Sequence, residues 1–472
     1  MNKKRMTISL LSSLFVETIN KLSPILVLHL AQMRLGTEQF GYSQFAITIM
    51  ETAIPFVISG YLIVGAKEVT RLKDDPDTLG SMLSSMMILR LGHALITFLA
   101  LVSMCLILPQ YHSYLSIVLT LSFILVGSAL EMTHVLIAHQ KVHSVNLALG
   151  VTKIASLYLI YRFITDPGDA NLYAILGMAT NGIVCLVTIF LALKLVKLRL
   201  PKFAIMRDLF MKGSQFALIY IGLNLLDRYD VFLAKNFFGA IGAAHYMGPA
   251  RISQSLHSIV AASGIVFLSE LMNVTDKERF TAHIKVALLG IGFLVIPACA
   301  GIWFLDKWIM TLIFGEDYAG VARLLSVLVL AAGMQSLITI FGFQVLTLKD
   351  ETKKFAAYLF AGILVGIVFS YVLAPKYALY GIGIAAVAAK ITSALLVSKK
   401  ACSYLNALPW ANLGKTLFAA SVMAGVLAYF QLSNPISIVL VATLTYGVTF
   451  SIVAKRDLLS IWKKLQRARH VE

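Results

Sequence analysis

Apolar runs long enough to cross a membrane as helices recur along the whole chain, separated by short polar segments. A helix needs about 20 mainly apolar residues to cross about 30 Å of hydrocarbon. The pattern predicts about fourteen such helices, at residues 9–31, 43–65, 82–108, 114–137, 147–164, 173–196, 214–238, 246–271, 284–305, 320–347, 355–374, 379–398, 414–432 and 435–454. The expected fold class is therefore all-α and integral to a membrane.

Basic residues gather in alternate loops, and this alternation predicts the topology. With the N-terminus inside, about 27 Lys and Arg fall in cytoplasmic segments and about four in the opposite loops. A missed span would move every later loop to the opposite side of the membrane and break the alternation. The observed alternation therefore supports the count and predicts that both termini are cytoplasmic. The basic start and the apolar residues 8–16 lack a small-residue cleavage pattern, so we expect an uncleaved first helix.

Composition agrees with a membrane protein and excludes several other classes. The chain of 472 residues is 59% hydrophobic and only 13% charged, with a mean hydropathy of +0.83. The formal charge of +17 is explained by the cytoplasmic loops, and no nucleic-acid motif accompanies it. The four cysteines are far apart and are expected to be free thiols. No metal motif, P-loop or nucleophile elbow is present, so no metal and no cofactor are expected.

The predicted helices fall into two groups of six and a final pair. The basic loop Lys194–Lys212, with Pro201, follows the sixth helix. We predict an N-terminal lobe at 1–196, a linker at 197–213, a C-terminal lobe at 214–398, helices 13 and 14 at 399–454 and a basic tail at 455–472. A shift of about 200 residues places Gly36 over Gly239, and six helices per half predict a parallel repeat.

Four stretches at the ends of predicted helices carry a resemblance to a family. They are Leu35-Gly-Thr-Glu-Gln-Phe-Gly41-Tyr42; Asp230 to Gly239 with Tyr246 and Ala250-Arg-Ile252; Leu312-Ile-Phe-Gly-Glu-Asp-Tyr318; and Pro375-Lys-Tyr-Ala-Leu-Tyr-Gly381-Ile-Gly-Ile-Ala-Ala386. Together they resemble the polysaccharide-export branch of the multidrug/oligosaccharidyl-lipid/polysaccharide flippase superfamily. Ala244 departs from that pattern, which has glycine there, and no glycine-tyrosine loop follows helix 3.

The resemblance implies two six-helix lobes that form a V around a central cavity, with two further C-terminal helices. It implies translocation of a polyprenyl-diphosphate-linked oligosaccharide across the bacterial inner membrane. The partners expected with that function are the lipid-linked glycan, membrane lipid, a polysaccharide polymerase and a chain-length regulator, and no nucleic acid.

Charged residues inside the predicted spans are the candidate site residues. Asp227, Arg228 and Asp230 lie near the middle of the apolar run 215–238, where each charge costs about 2.5–3.5 kcal/mol on insertion scales. Cations suited to a diphosphate are Lys21, Arg90, Arg228, Arg251 and Lys390. Carboxylates that can bind a coupling ion or act in gating are Glu17, Glu51, Glu131, Asp227 and Asp230.

Each of these residues has a structural alternative. Glu17 and Lys21 have the spacing of an intrahelical ion pair. In a continuous helix Arg228 would point about 100° away from Asp227, so Arg228 is expected either to pair with another helix or to face the cavity. Asp230 is expected to shape the lobe interface or to handle protons. Lys235, near a helix end, is expected to reach towards the interface. Arg251 is expected one turn into helix 8 and is the favoured phosphate ligand.

The function that these features favour is flipping of an undecaprenyl-diphosphate-linked glycan, such as an O-antigen unit, by ion-coupled alternating access. The alternatives are a lipid II flippase and a multidrug or cation antiporter of the same superfamily. An antiporter predicts an acidic, aromatic cavity, whereas the spans here hold somewhat more basic than acidic residues. A glycosyltransferase or polymerase would need a large outer loop, and the predicted outer loops are short. The chain is therefore not expected to be an enzyme.

Overall fold

The computed structural model describes residues 3–58, 60–139, 142–271, 276–406 and 410–455. This part of the chain is helical almost throughout and has no β-strand. The helices are α1 (Lys3–Ile58), α2 (Tyr61–Arg71), α3 (Pro76–Ile107), α4 (Leu115–Leu121), α5 (Phe123–Leu130), α6 (Thr133–Ala138), α7 (Val142–Phe163), α8 (Ala170–Leu193), α9 (Phe203–Leu226), α10 (Tyr229–Leu271), α11 (Lys277–Phe314), α12 (Arg323–Thr339), α13 (Thr352–Cys402), α14 (Trp410–Phe430) and α15 (Pro435–Val453).

These helices correspond to the fourteen predicted spans once three long helices are divided. α1, α10 and α13 each contain one residue with non-helical dihedral angles, at Gly36, Gly239 and Ala378. Helices α4 to α6 together form the fourth span, and α2 completes the second. Judged by length and apolarity, eight helices in the described residues can cross a membrane, or nine if one bent pair is a single span. That lower count takes Phe203–His257 and Thr352–Cys402 each as one segment and includes neither α1 nor α7.

The outward faces of the helices are apolar, as a bilayer requires. Ile107 in α3 is 72% exposed, Leu186 in α8 is 67% exposed and Ile452 in α15 is 70% exposed. Such extensive apolar exposure would be unfavourable in water but matches contact with lipid tails. All four cysteines are free, as expected from their spacing.

Single residues with positive φ make the turns that carry the family resemblance. Gly36 has φ 70° and ψ 166°, and Gly239 has φ 69° and ψ −163°. The two glycines aligned by the sequence repeat therefore share one backbone conformation, which is open to glycine and strained for other residues. Gly315 (φ 87°, ψ 177°) and Ala378 (φ 50°, ψ −134°) make the other two turns.

Substitution of Gly36 or Gly239 by alanine should reduce the free energy of unfolding by about 1–3 kcal/mol. A Cβ at either position meets no atom within 4 Å, so the cost is backbone strain and not a steric clash. Gly447→Ala in α15 is the matched control, since its Cβ also meets open space and its φ is ordinary. Reversible unfolding in mixed micelles measures all three variants. Equal stability of the Gly239 and Gly447 variants would refute the strain.

The first of two compact units comprises Met1–Gly248 and Thr352–Ile363. Within it the two repeat-related turns touch: a Cβ added at Gly41 would lie 2.2 Å from the carbonyl oxygen of Ala240 and 3.0 Å from the Cβ of Ala244. Glycine at position 41 therefore permits the closest approach of the two helix pairs. A cluster of buried apolar residues from α2, α3, α6 and α9, including Tyr61 and Leu209, forms part of the core.

The second unit comprises Pro249–Glu351 and Leu364–Glu472. Its core joins α11, α14 and α15 through buried residues such as Met423 and Tyr446. An apolar cavity of about 730 Å³ lies between α11, α12 and α14. The two units are defined by contacts within the chain. They do not test the lobe boundaries derived from the repeat, which stay a prediction.

Candidate functional site

The seventh span is broken at its charged residues. Helix α9 ends at Leu226, Asp227 caps it, and α10 begins at Tyr229. The backbone N–H groups of Asp227 and Arg228 bond to the carbonyl oxygens of Leu223 and Leu225, each at 3.1 Å. The continuous helix assumed from the sequence is therefore wrong. Aspartate has a low helix propensity, and the interruption is a short turn in which Asp227 keeps right-handed dihedral angles (φ −89°, ψ −8°).

Arg228 at this break pairs with Glu51 in the second half of α1. The Arg228 Nη2 and Glu51 Oε2 atoms lie 3.3 Å apart, and the side chains are 19% and 24% exposed. Asn224 Nδ2 donates to the Glu51 carbonyl oxygen at 3.3 Å. Of the two alternatives from the sequence, pairing with another helix is the one observed. Both side chains keep some exposure, so the pair is accessible.

Asp230, one residue into α10, is buried with Tyr246 on the far side of Gly239. Its Oδ2 accepts a hydrogen bond of 2.7 Å from the Tyr246 hydroxyl. Asp230 is 6% exposed and Tyr246 is fully buried. The contact joins the seventh and eighth spans across their turn. Both spans belong to one predicted lobe, so the role expected for Asp230, at the lobe interface or in proton handling, stays a prediction. The sequence motif contained Tyr246 but gave no sign of this bond, because sixteen residues and a turn separate the partners.

Arg90 in α3 donates hydrogen bonds to the backbone at a second helix break, between α5 and α6. Its guanidinium donates to the carbonyl oxygen of Glu131 at 2.8 Å and also to that of Ser128. The Glu131 carboxylate lies 3.7 Å from Arg90, which is 2% exposed. Arg90 therefore satisfies carbonyl groups that the interrupted helix leaves free, a need that is acute inside a membrane. These contacts occupy both terminal nitrogens of a residue that the sequence offered as a phosphate ligand.

Lys235 lies in an aromatic cage. Its Nζ is 4.7 Å from the ring centre of Tyr111, 5.3 Å from that of Tyr114 and 5.8 Å from that of Phe45. The lysine is only 9% exposed and donates to the carbonyl oxygen of Gln110. The 3₁₀ segment Pro109–Tyr114 that folds over Lys235 is the loop between the third and fourth spans, and the expected reach of Lys235 towards the membrane interface stays a prediction. Cation–π contacts of this kind stabilise a desolvated ammonium group.

The other four candidates are Glu17, Lys21, Arg251 and Lys390. The side chains of Glu17 and Lys21 fall outside the described part of the chain, so their ion pair stays a prediction. Arg251 belongs to the second unit and lies twelve residues beyond Gly239, about three turns into its helix and not one turn as expected. The residues after Gly239 are helical, whereas the glycine-rich sequence predicted a loop. Lys390 is buried in the second half of α13.

Among the candidates of the first unit, Arg228 pairs with Glu51 and Arg90 pairs with Glu131. Arg228–Glu51 is the pair with both partners partly exposed, while Arg90 is almost fully buried. An accessible arginine fork can bind a phosphate bidentately, and a partly exposed carboxylate can bind a cation. Among the described residues no group of three or more His, Cys, Asp or Glu is arranged to hold a metal ion. We define Glu51, Asn224, Asp227, Arg228 and Asp230 as the break site.

Comparisons with known proteins identify the family. Residues 8–268 match the family model described as polysaccharide biosynthesis protein. A relative from Escherichia coli (strain K12), provisionally described as an O-antigen transporter, is 21% identical over 81% of this chain and 94% of its own length. A relative from Shigella dysenteriae with the same provisional description is 20% identical over 81% of this chain and 97% of its own length.

Solved structures of flippases and multidrug transporters share the fold. The lipid II flippase MurJ in an inward closed conformation has a TM-score of 0.73 at 16% identity, covering 94% of this chain and 99% of its own. An inward-facing multidrug transporter of the MATE family has a TM-score of 0.61 at 14% identity, covering 82% and 95%. At these identities the likeness establishes the fold. The family expected from the resemblance is confirmed.

Proposed function

The chain belongs to the polysaccharide biosynthesis protein family, and we propose that it flips an undecaprenyl-diphosphate-linked oligosaccharide, an O-antigen or related unit, between leaflets of the bacterial inner membrane. The chain is a multi-pass membrane transporter and not an enzyme, since its family and its relatives are transporters. The relatives' provisional description as O-antigen transporters supports the substrate class. The proposed orientation places both termini in the cytoplasm, as the basic loops predict.

The break site is the observation that carries the proposal. A lipid-linked glycan brings two phosphates to a depth where water is scarce, so the transporter must offer cations there. Arg228 lies at a helix break within an apolar span and is held by Glu51 at 3.3 Å. The bond length and the partial exposure of both side chains make the pair one that an incoming diphosphate can open. In the proposed cycle the guanidinium exchanges the Glu51 carboxylate for the diphosphate.

Ion coupling follows from the same pair in this proposal. A proton or a sodium ion bound at Glu51 neutralises its carboxylate and releases Arg228 for the diphosphate. We expect translocation in vesicles to rise with an imposed proton or sodium gradient and to lose that increase when an ionophore dissipates the gradient. Glu51→Gln mimics the neutral form and should translocate at a rate independent of the gradient. A gradient response that persists unchanged in Glu51→Gln would place the coupling ion elsewhere.

A cell-based experiment tests the physiological function. The gene is expressed in a Gram-negative strain that lacks its own O-antigen flippase but makes the lipid-linked unit. Appearance of polymerised glycan on the surface supports the proposal, including cooperation with a polymerase and a chain-length regulator. Correct membrane insertion with no surface glycan, across strains that make several different repeat units, would contradict it.

A further inference from the structure

The segment between the sixth and seventh spans is unusually basic and is folded onto the protein. Residues 194–212 contain six cations, Lys194, Lys197, Arg199, Lys202, Arg207 and Lys212, and one acid, Asp208. From here on we call this segment the linker; it begins three residues before the linker predicted at 197–213 and ends one residue before it. Residues 194–202 connect α8 to α9, and residues 203–212 form the first turns of α9, so both ends of the segment continue into membrane-spanning helices.

One side of the linker is anchored to α3 and to the core of the first unit. Val196 and Leu209 are buried in the apolar cluster that also contains residues of α2 and α3. The backbone N–H of Lys202 donates to the buried hydroxyl of Ser85 at 3.1 Å. The Arg199 Nε donates to Asp77 Oδ1 at 2.7 Å. The linker therefore has a fixed inner face and presents a defined outer face.

The outer face interleaves large apolar side chains with cations. Leu200 is 86% exposed and Phe203 is 81% exposed, among the highest values for large apolar residues in the described chain. Lys197 and Arg207 are exposed and make no side-chain hydrogen bond or ion pair with any residue that the structure describes. This combination of bare apolar groups and available cations is typical of segments that lie in a membrane interface.

Topology alone explains only part of this face. The positive-inside rule accounts for cations in a short loop, but it gives no reason for an exposed leucine and phenylalanine between them. Insertion of those side chains at the boundary between headgroups and acyl chains removes them from water. Lys and Arg beside them then face the phosphate layer, where each cation near an anionic surface contributes a similar attraction.

We propose that the linker is a binding site for anionic phospholipid, in which Lys197 and Arg207 contact phosphate headgroups and Leu200 and Phe203 insert among the acyl chains. The charge of the segment and the membrane helices at both of its ends select lipid of the adjoining leaflet as the occupant. The site requires no transport activity, so its test is independent of the proposed function.

Binding of phosphatidylglycerol to the full-length protein in detergent tests the cationic part of the site. Lys197→Gln/Arg207→Gln should raise the dissociation constant about 30-fold, since about 1 kcal/mol for each of two cations converts to that factor. Lys277→Gln/Arg279→Gln makes the same charge change in the first turn of α11 and should leave the dissociation constant unchanged. An equal loss of phosphatidylglycerol affinity in both double variants, or no loss in Lys197→Gln/Arg207→Gln, would overturn the proposal. So would displacement of the lipid by an equal concentration of inorganic phosphate.

Depth-dependent quenching tests the apolar part. In vesicles of phosphatidylglycerol and phosphatidylcholine, tryptophan at Phe203→Trp should add emission that lipids brominated on their acyl chains quench, relative to the wild-type protein. Iodide in the aqueous phase should quench this added emission weakly. Quenching of the added emission by iodide alone would place position 203 in water and overturn the insertion.

Discussion

Replacing Arg90 with alanine is expected to lower the free energy of unfolding by about 3–5 kcal/mol, the usual effect of removing one partner from a buried ion pair. The substitution leaves the Glu131 carboxylate without Arg90 and frees the carbonyl groups of Ser128 and Glu131 that the guanidinium satisfies. Denaturant unfolding of the purified protein in mixed micelles measures the change.

Two further observations make the structural role of Arg90 testable. Arg90→Lys keeps the charge but loses one of the two terminal nitrogens, so it should recover part of the stability. If Arg90→Ala unfolds as the wild-type protein does and yet abolishes transport, then Arg90 serves the substrate and the structural account is wrong. This outcome would return Arg90 to the phosphate role expected from the sequence.

Replacing Arg228 with alanine should slow glycan translocation by about 10- to 100-fold, since a hydrogen bond to a charged group contributes about 1.5–3 kcal/mol. Arg228→Lys should retain part of the rate as a point charge without the bidentate fork. The initial rate in vesicles measures both, at equal amounts of inserted protein. Arg162→Ala removes an exposed cation next to Phe163 and should leave the rate unchanged.

Exchange of the two partners separates a substrate role from simple pairing. Glu51→Arg combined with Arg228→Glu can restore an ion pair between α1 and the break, so the protein should insert and unfold normally. Its translocation should stay low, because the cation no longer lies at the break in the seventh span. Full recovery of the rate would mean that the pair is structural and that the diphosphate binds elsewhere.

The sequence predicts the spans well because the bilayer imposes a strong and local constraint. A mainly apolar run of about 20 residues has few alternatives to a helix in a membrane. The alternation of basic loops then checks each predicted span. The turns were also predictable, since Gly36 and Gly239 align and adopt the same conformation. The break at Asp227 was hidden because apolar residues continue on both sides, so hydropathy reports one span where the backbone has two helices.

The partners of the site residues were beyond prediction for a different reason. Arg228 and Glu51 are 177 residues apart, and Arg90 and Glu131 are 41 residues apart. Spacing rules within a helix concern neighbours three or four residues away and carry no information about such contacts. Lys235 illustrates the same limit, because its burial depends on Tyr111 and Tyr114 from a different segment.

Translocation by the purified protein tests the central claim most directly. The protein is reconstituted into vesicles with a fluorescent undecaprenyl-diphosphate-linked oligosaccharide, and in parallel with lipid II and with a cationic dye. The account predicts that the linked oligosaccharide crosses, that its crossing depends on Arg228, and that the dye does not cross. Transport of the dye or of lipid II alone, with no movement of the oligosaccharide, would contradict it.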